Sequence, residues 1–150
     1  MTKPTDPDLL AQGCAEKMWD GDFATQNLGF VIDEVSSGKS KVSVTVTKKM
    51  VNGHNNTHGG FIFFLADTAF AYACNSHNNH AVGQNCFVTF LRPSKIGDNL
   101  TASAVERELS GRSGIYDVTV TNQNDKKIAE FRGISRIVPG QYYPDPDEQN

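Results

Sequence analysis

The most constraining feature of the sequence is an apolar segment near its middle. Residues 59–75 read GGFIFFLADTAFAYACN, and no proline interrupts the chain between Asp8 and Arg92. Apolar side chains occupy almost every helical face, and a helix of that kind is stable only when it is surrounded. The apolar stretch of 14 residues is shorter than the roughly 20 needed to cross a bilayer. The sequence therefore predicts a helix, beginning near Gly59 and ending near Asn75, that is buried on all sides of a soluble domain.

Segments with strand character lie on both sides of this helix. The clearest of them alternates valine with serine or threonine, which is the pattern of a half-buried strand. The predicted strands are Leu28–Val35, Lys41–Lys49, Ala81–Leu91, Asn99–Leu109, Gly114–Asn122 and Lys127–Val138. The loops between them are short, so consecutive strands are expected to pair antiparallel. One helix among six such strands implies an α+β fold in which a curved sheet wraps the helix.

The chain of 150 residues is long enough for one domain with its own core and leaves little room for a second. A short helix is expected over about residues 7–20, because Asp6 can cap it and Pro7 suits its first position. The wrapped core is expected over about residues 24–138. The polar residues 139–150 are expected to form a mobile tail.

Charge and cysteine content exclude several classes of protein. There are 14 Lys and Arg residues against 17 Asp and Glu, a net charge of −3, and no basic cluster that would favour nucleic acid or a membrane surface. Three cysteines without a paired spacing argue against a secreted disulfide scaffold. The N-terminus has no apolar leader. These features predict a cytoplasmic protein that binds neither nucleic acid nor membranes.

Asp67 is the most informative single residue, because it lies in the middle of the apolar helix. Burying a carboxylate is unfavourable and raises its pKa. Such a group in a cleft is a candidate general base or nucleophile. The alternative at this point is a structural aspartate that bonds a backbone group or pairs with an arginine.

The segment before the helix, NGHNNTHGG at residues 52–60, is the second candidate. Glycines at a helix start lower helix propensity, but they allow a ligand to approach the free N–H groups of the first turn. Together with the helix dipole, these groups suit a carbonyl or oxyanion. The alternative is a flexible turn that only leads into the helix.

The spacing between these two features predicts an oligomer. Asp67 is eight residues beyond Gly59, which is ~12 Å along a helix axis. One chain can hardly bring both groups to the same reacting carbon, whereas two antiparallel helices related by a dimer two-fold could. We therefore expect a homo-oligomer with shared sites.

Other polar residues carry weaker signals. His54 and His58 are four apart, but they lie in a loop and no carboxylate or cysteine completes a ligand set, so no metal is predicted. Cys74 and Cys86 are interpreted as small apolar fillers rather than nucleophiles. Cations after the helix could hold phosphates by charge-assisted hydrogen bonds.

Three stretches resemble a known family: HGGFIFFLADTAFAYACNS, FVTFLRPSKIGDNLTASA and FRGISRI. At these spacings they are similar to the hot-dog-fold acyl-CoA thioesterases, in the phenylacetate-degradation (PaaI-type) subgroup. The resemblance runs from about Trp19 to Val138 and covers nearly the whole chain.

The resemblance implies a continuous sheet shared by two protomers, usually within a tetramer. It assigns Asp67 as the catalytic carboxylate and the Gly59 N–H of the partner subunit as the group that polarises the thioester carbonyl. Asn52 matches the loop amide near the thioester, and His58 matches the histidine of HGG. Related aryl-CoA thioesterases carry a hydroxyl residue where this chain has Ala71, so direct attack by Asp67 and activation of water both stay open.

Further residues are expected to bind the substrate: Gly60, Thr68, Thr89, Arg92 and Arg112. No cofactor is expected beyond the coenzyme A of the substrate itself. The resulting prediction is a thioesterase that cleaves an acyl- or aryl-acyl-CoA, with a phenylacetyl-CoA-like substrate favoured. The alternatives are a non-catalytic acyl-CoA-binding module and a hot-dog dehydratase or hydratase.

Overall fold

The computed structural model describes residues 1–145. Its helices are α1 (Pro7–Trp19), α2 (Phe23–Asn27) and α3 (Gly59–Cys74), with one 3₁₀ turn at Lys48–Met50. Its strands are β1 (Val31–Ser36), β2 (Lys39–Thr45), β3 (His80–Phe90), β4 (Asn99–Ser110), β5 (Ser113–Thr121) and β6 (Lys127–Val138). The predicted fold, six antiparallel strands around one long helix with a short N-terminal helix, is confirmed.

The strands form a single sheet in the order β1-β2-β4-β5-β6-β3. Consecutive strands pair as predicted for β1–β2, β4–β5 and β5–β6. The prediction is wrong for β3, which pairs with β6 while β2 pairs with β4. The reason is α3, which carries the chain across the sheet between β2 and β3, so that β3 lies at the far edge.

Two predicted strand boundaries are also wrong. The first strand begins at Val31 rather than Leu28, because residues 23–27 form α2 and Gly29 then turns the chain with φ at 71°. The second ends at Thr45 rather than Lys49, because Lys48–Met50 form the 3₁₀ turn. That turn brings the Met50 carbonyl to the His58 N–H at 2.7 Å, just before α3.

The core lies between α3 and the concave face of the sheet. Leu65 and Phe70 of α3 are 0% and 1% exposed. On the strands that they face, Val42, Tyr116 and Val118 are each 0% exposed. The Phe70 ring packs 5.5 Å from that of Tyr116. Each such side chain stabilises the fold by about 1.5–3 kcal/mol through burial.

One face of α3 departs from the prediction that the helix is buried all round. Gly60, Phe63, Phe64, Asp67 and Ala71 are half-buried or exposed, and they recur with helical spacing on one side. The sheet of one chain curls around only part of the helix, so this side stays uncovered. We call these five residues the open face of α3.

The C-terminal segment also differs from the prediction over residues 139–145. The Asn78 side chain accepts from the Tyr143 N–H at 2.8 Å and donates to the Tyr143 carbonyl at 2.9 Å. The Tyr142 hydroxyl donates to Asn75 Oδ1 at 2.8 Å. This part of the predicted tail therefore packs on the loop after α3, and the remainder, residues 146–150, lies outside the described residues. No helix in the described part of the chain is both long and apolar enough to span a membrane.

Candidate active site

Asp67 lies on the open face of α3, beside β3. Its Oδ1 atom is 3.9 Å from Cys86 Sγ, and a Cβ on Gly83 would lie 3.9 Å from the same oxygen. Burial raises the pKa of the Asp67 carboxyl, and no charged group contributes to the shift. Within residues 1–145 no backbone group or arginine bonds this carboxylate. It is therefore a desolvated carboxylate without the structural partner that the alternative role requires.

Gly59 opens α3 at the opposite end of the open face. Its N–H group has no acceptor among the described residues, as expected for the first turn of a helix. A Cβ at this position would lie 3.0 Å from Phe90 Cζ, closer than ordinary van der Waals contact. The Phe90 ring lies directly against the backbone that presents the free N–H, so a larger residue at position 59 would have to displace this ring.

His58 caps this helix. Its Nδ1 accepts a hydrogen bond from the Gly60 N–H at 2.9 Å, which is the usual way a side chain satisfies the first turn. The Gly60 N–H is consequently occupied, although the sequence suggested both glycines for ligand contact. Gly59 is left as the amide that can polarise a carbonyl.

Asn52 organises the loop that precedes α3. Its Oδ1 accepts from the N–H groups of His54 at 2.9 Å and Asn56 at 3.2 Å. The loop is further fixed by the Thr57 N–H, which donates to the Ser94 carbonyl at 2.7 Å. The Asn52 side-chain oxygen thus has a structural role, while its Nδ2 donates to no acceptor within residues 1–145.

A cavity of about 360 Å³ adjoins Gly59. It brings the predicted residues Gly59 and Arg92 together, and its walls are Asn56, Thr57, Gly59, Ile62, Phe90, Leu91, Arg92 and Pro93. The Arg92 side chain is exposed, and its Nη1 donates to the Lys127 carbonyl at 2.9 Å. The cavity therefore combines a free N–H, an apolar wall and a cation at its rim.

Three of the predicted substrate residues lie elsewhere in the protomer. Thr68 is 7% exposed, and its hydroxyl donates to the Phe64 carbonyl of its own helix at 2.8 Å. Thr89 is on the convex face of the sheet, because Cys86 and Val88 face α3 and side chains alternate along a strand. Arg112 is in the β4–β5 turn, where its carbonyl accepts from the Ile137 N–H at 2.7 Å, at the end of the sheet opposite Arg92.

The larger cavity, about 530 Å³, lies between α1 and β1. Its walls include Trp19, Asp33 and Tyr72 but none of the predicted site residues. Size alone would favour it as the binding site, but neither Asp67 nor Gly59 lies in its walls. No group of three or more potential metal ligands occurs within residues 1–145.

Sequence reasoning missed two neighbours of the predicted groups. Cys86 is half-buried and packs against the core as predicted, but it also contacts Asp67. Phe90 covers Gly59 although it is 51% exposed. The isolated Gly83 within a predicted strand was an available signal, because such a glycine often marks a close approach of another group.

A long helix wrapped by an antiparallel sheet is the hot-dog fold, and among the described residues this helix carries a desolvated carboxylate, Asp67, and a free N–H at its first residue, Gly59. Residues 54–129 match the family described as the thioesterase superfamily. The chain is 45% identical to the acyl-coenzyme A thioesterase PaaI of Escherichia coli K12 over 84% of this chain and 90% of that protein. It therefore belongs to the thioesterase superfamily, among the PaaI-type acyl-CoA thioesterases, which confirms the predicted family and enzyme class.

Solved structures agree with this assignment. The structure of the E. coli PaaI protein superposes with a TM-score of 0.88 at 43% identity, covering 89% of this chain and 97% of that chain. A Streptococcus mutans protein bound to acetyl-CoA superposes with a TM-score of 0.72 at 26% identity, covering 75% of this chain and 90% of that chain.

Proposed function

We propose that this protein hydrolyses an acyl- or aryl-acyl-CoA to the free acid and coenzyme A, with a phenylacetyl-CoA-like substrate favoured. The observation that carries the proposal is Asp67, a half-buried carboxylate with a raised pKa and no charged partner within residues 1–145. A desolvated carboxylate is a stronger base than one in water. The name of the E. coli relative and the acetyl-CoA bound to the S. mutans relative support the choice of thioester.

The Gly59 N–H provides the second element of the chemistry. Donating to the thioester oxygen, it stabilises the negative charge that develops there when the carbonyl carbon is attacked. The partial positive charge at the start of α3 acts in the same direction. The Phe90 ring lies against Gly59 and forms part of the same cavity wall.

Two routes to the products remain for Asp67. As a general base it accepts a proton from water while the water oxygen bonds to the carbonyl carbon; the C–S bond then breaks and the coenzyme A thiolate leaves and takes up a proton. As a nucleophile it forms an acyl-aspartyl anhydride with loss of the same thiolate, and water then hydrolyses the anhydride. Both routes consume one water and release one acid and one thiol.

The site is proposed to form between two chains that pair along β3. Within residues 1–145 this strand pairs only with β6, and it contains no charged residue and no proline. Val82, Phe87 and Phe90 are 50%, 69% and 51% exposed, whereas proteins usually protect an edge strand from pairing. A partner strand fits this edge.

Gly59 and Asp67 of one chain lie ~12 Å apart along α3. Pairing of two chains brings the Gly59 N–H of one chain towards Asp67 of the other. Residues Asp67 and Cys86 meet near the middle of β3, and Gly59 meets Phe90 at its end, so α3 runs antiparallel to β3. A two-fold that pairs two β3 strands antiparallel also makes the two α3 helices antiparallel. The start of one helix then points along the open face that carries the other Asp67.

The same two-fold axis allows Arg92 and Arg112, which lie at opposite ends of the sheet, to act on one coenzyme A. Arg92 and Arg112 are separated by the length of β3, roughly 30 Å at the rise of a strand, so one protomer cannot direct both at one coenzyme A. Antiparallel pairing brings Arg92 of one chain and Arg112 of the other to the same end. We propose that they bind the phosphates by charge-assisted hydrogen bonds. Rising salt is then expected to raise KM more than it lowers kcat.

The preference for an aryl group rests on the side chains beside Asp67. Phe63 and Phe64 belong to the open face of α3, and Phe90 is on the adjoining strand. Aromatic rings favour an aromatic acyl group by edge-to-face contact, worth about 0.5–1.5 kcal/mol per pair beyond burial. We expect kcat/KM to be highest for phenylacetyl- and hydroxyphenylacetyl-CoA in a panel that includes benzoyl- and medium-chain acyl-CoA.

Two measurements test the function. Release of free thiol from that panel distinguishes a thioesterase from an acyl-CoA-binding module, and turnover of an enoyl-CoA would indicate a hydratase instead. A single turnover in ¹⁸O-water then tests for direct attack. If water adds to the aspartyl carbon of the anhydride, the first product contains no solvent oxygen and the label stays on Asp67, whereas general-base catalysis, or water adding to the acyl carbon, places one solvent oxygen in the first product. Thioester binding without thiol release would contradict the proposal.

A further inference from the structure

The Asp67 carboxylate receives one side-chain hydrogen bond within residues 1–145. The Cys86 thiol donates to Oδ1 at an Sγ–O distance of 3.9 Å, long for nitrogen or oxygen but within reach of the larger sulfur atom. Gly83, beside the same oxygen atom, has no side chain: a Cβ there would lie 3.8 Å from Cys86 Sγ and 3.9 Å from Asp67 Oδ1. The Cys86 thiol is therefore the one side-chain donor within residues 1–145 that favours a particular orientation of this carboxylate.

The surroundings keep Cys86 protonated. Burial first, and then the negative charge of Asp67, raise the pKa of the Cys86 thiol above its ordinary value. A protonated thiol is a hydrogen-bond donor and a poor nucleophile. The same environment that disqualifies Cys86 as an attacking group therefore suits it to hold a carboxylate.

The donor is also held in place. Cys86 is opposite Gly133 in the ladder between β3 and β6, so its backbone is part of a rigid element. The other titratable group facing this region is Cys74 of α3, which is 4% exposed and donates to the Ala71 carbonyl at 3.5 Å. Burial raises the pKa of Cys74 to about 12, so it stays neutral as well. No further titratable side chain bonds Asp67 in the described part of the chain.

We propose that Cys86 is a positioning residue for thioester hydrolysis, whose S–H orients the Asp67 carboxylate and favours its ionised form. This proposal rests on the proposed function, because it assigns Cys86 a role only through Asp67. It differs from a packing role in one measurable respect: a donor to the carboxylate changes the pH at which that carboxylate becomes active.

The test compares three variants at positions on β3. Cys86→Ala removes the donor and is expected to lower kcat about 3- to 10-fold, less than the loss of a stronger N–H or O–H donor to a charged group. KM should change little. The acidic limb of the kcat–pH profile should move to higher pH, because the carboxylate has lost the donor that favoured its ionised form.

Cys86→Ser keeps a donor at this position, so it is expected to restore part of kcat and to move the acidic limb back towards the wild type. Val88→Ala is the matched control, because Val88 is two residues further along the same face of β3 and packs on the core without touching Asp67. It should cost some stability and leave the pH profile unchanged. Thermal melting of all three variants establishes that they are folded.

The outcomes separate this proposal from the proposed function. If Asp67→Asn is inactive while Cys86→Ala has the kcat and pH profile of the wild type, the positioning role is overturned and the proposed function stands. Equal losses in Cys86→Ala and Cys86→Ser with an unmoved acidic limb also overturn it, since they indicate packing. Full activity of Asp67→Asn overturns the proposed function itself.

Discussion

The two edge strands of the sheet, β1 and β3, differ in length, charge and exposed apolar surface. Strand β1 has six residues, is interrupted by a bulge between Ile32 and Glu34, carries Asp33 and Glu34, and packs against α1. Strand β3 has 11 residues and no charge, and it exposes several large apolar side chains. The ladder of β3 is also bulged, between Gly83 and Asn85, so length and charge distinguish the two edges: short, charged edges resist pairing, and long apolar edges favour it.

The candidate catalytic groups also lie on only one of these two sides of the sheet. The β1 side has the larger cavity, about 530 Å³, but the β3 side has Asp67, Gly59 and the open face of α3. A protected edge such as β1 contributes only to the stability of its own chain. An exposed edge such as β3 can pair with a second chain and form a site with it. The comparison teaches that the candidate catalytic groups lie beside the exposed apolar edge rather than beside the larger cavity.

The largest expected effect comes from the carboxylate on the β3 side. Asp67→Asn keeps the shape of the side chain but removes its charge and its basic oxygen, so kcat should fall by about 10² to 10⁴ with little change in KM. Asp33→Asn is the control on the β1 side, in the wall of the larger cavity, and should leave kcat unchanged. Steady-state kinetics with phenylacetyl-CoA would measure both. A loss confined to Asp33→Asn would reverse the assignment of the two sides.

The next effect tests the edges themselves with two valines of matched exposure. Val82 of β3 and Val31 of β1 are 50% and 53% exposed. Val82→Lys places a charge in the proposed interface and should convert the oligomer to monomer, with kcat/KM falling about tenfold or more because a buried unpaired charge is so unfavourable.

Val31→Lys should change neither property, because the edge of β1 is already protected. Light scattering and thiol-release assays on the same preparations would measure both. An active wild-type monomer, or dissociation by Val31→Lys alone, would contradict the comparison.

A smaller effect concerns stability and pH, and it contrasts Asp67 with Asp117 on the convex face of the sheet. Burial raises the pKa of Asp67, so its folded state binds more protons than the unfolded state, and stability falls as pH rises through the raised pKa. Asp67→Asn should therefore gain in Tm over the wild type as pH rises towards neutrality.

Asp117 should behave with the opposite sign. Arg132 donates to it at 2.7 Å and 2.9 Å, and these bonds lower its pKa. The stability it contributes is present above the ordinary pKa of an aspartate and is lost as pH falls through the lowered value. Asp117→Asn should melt below the wild type at neutral pH and approach it in acid. Calorimetry from about pH 3 to about pH 8 spans both transitions; parallel curves for the two variants would refute the contrast.

The smallest effect is expected from α1 on the β1 side. The Asp6 side chain accepts from the N–H groups of Asp8 at 3.0 Å and Leu9 at 2.9 Å. Asp6→Ala removes this cap and should lower the free energy of unfolding by about 0.5–2 kcal/mol, without changing kcat. Denaturant unfolding and a thioesterase assay measure the two quantities. A fall in kcat at full stability would mean that the β1 side takes part in the reaction.

Much of the site could be predicted from local sequence. A carboxylate in an apolar helix is visible without a structure, and so is a pair of glycines before that helix. The free Gly59 N–H is a property of any helix start. Which of the two glycines stays free is not, because it depends on the His58 ring turning onto Gly60.

The positions of Cys86 and Arg112 could not be predicted from the sequence, because they depend on strand register and strand order. Cys86 reaches Asp67 because β3 lies beside α3 at the far edge of the sheet, next to β6. Consecutive-strand pairing would have placed β3 beside β4. Arg92 and Arg112 are both expected to bind the substrate, and the topology places them at opposite ends of the sheet. No local pattern contains this information, since pairing partners are far apart in the chain.

By itself the sequence determined most of the elements and the candidate groups: a helix too apolar to be exposed, strands with period-two alternation, and a carboxylate, Asp67, within that helix. These follow from burial and periodicity, which act over a few residues. The tertiary structure decided what depends on contacts between distant segments: the sheet order, the open face of α3, the thiol beside Asp67 and the unprotected edge of β3. One helix wrapped by one sheet leaves a side uncovered, and only the folded chain reveals which side that is.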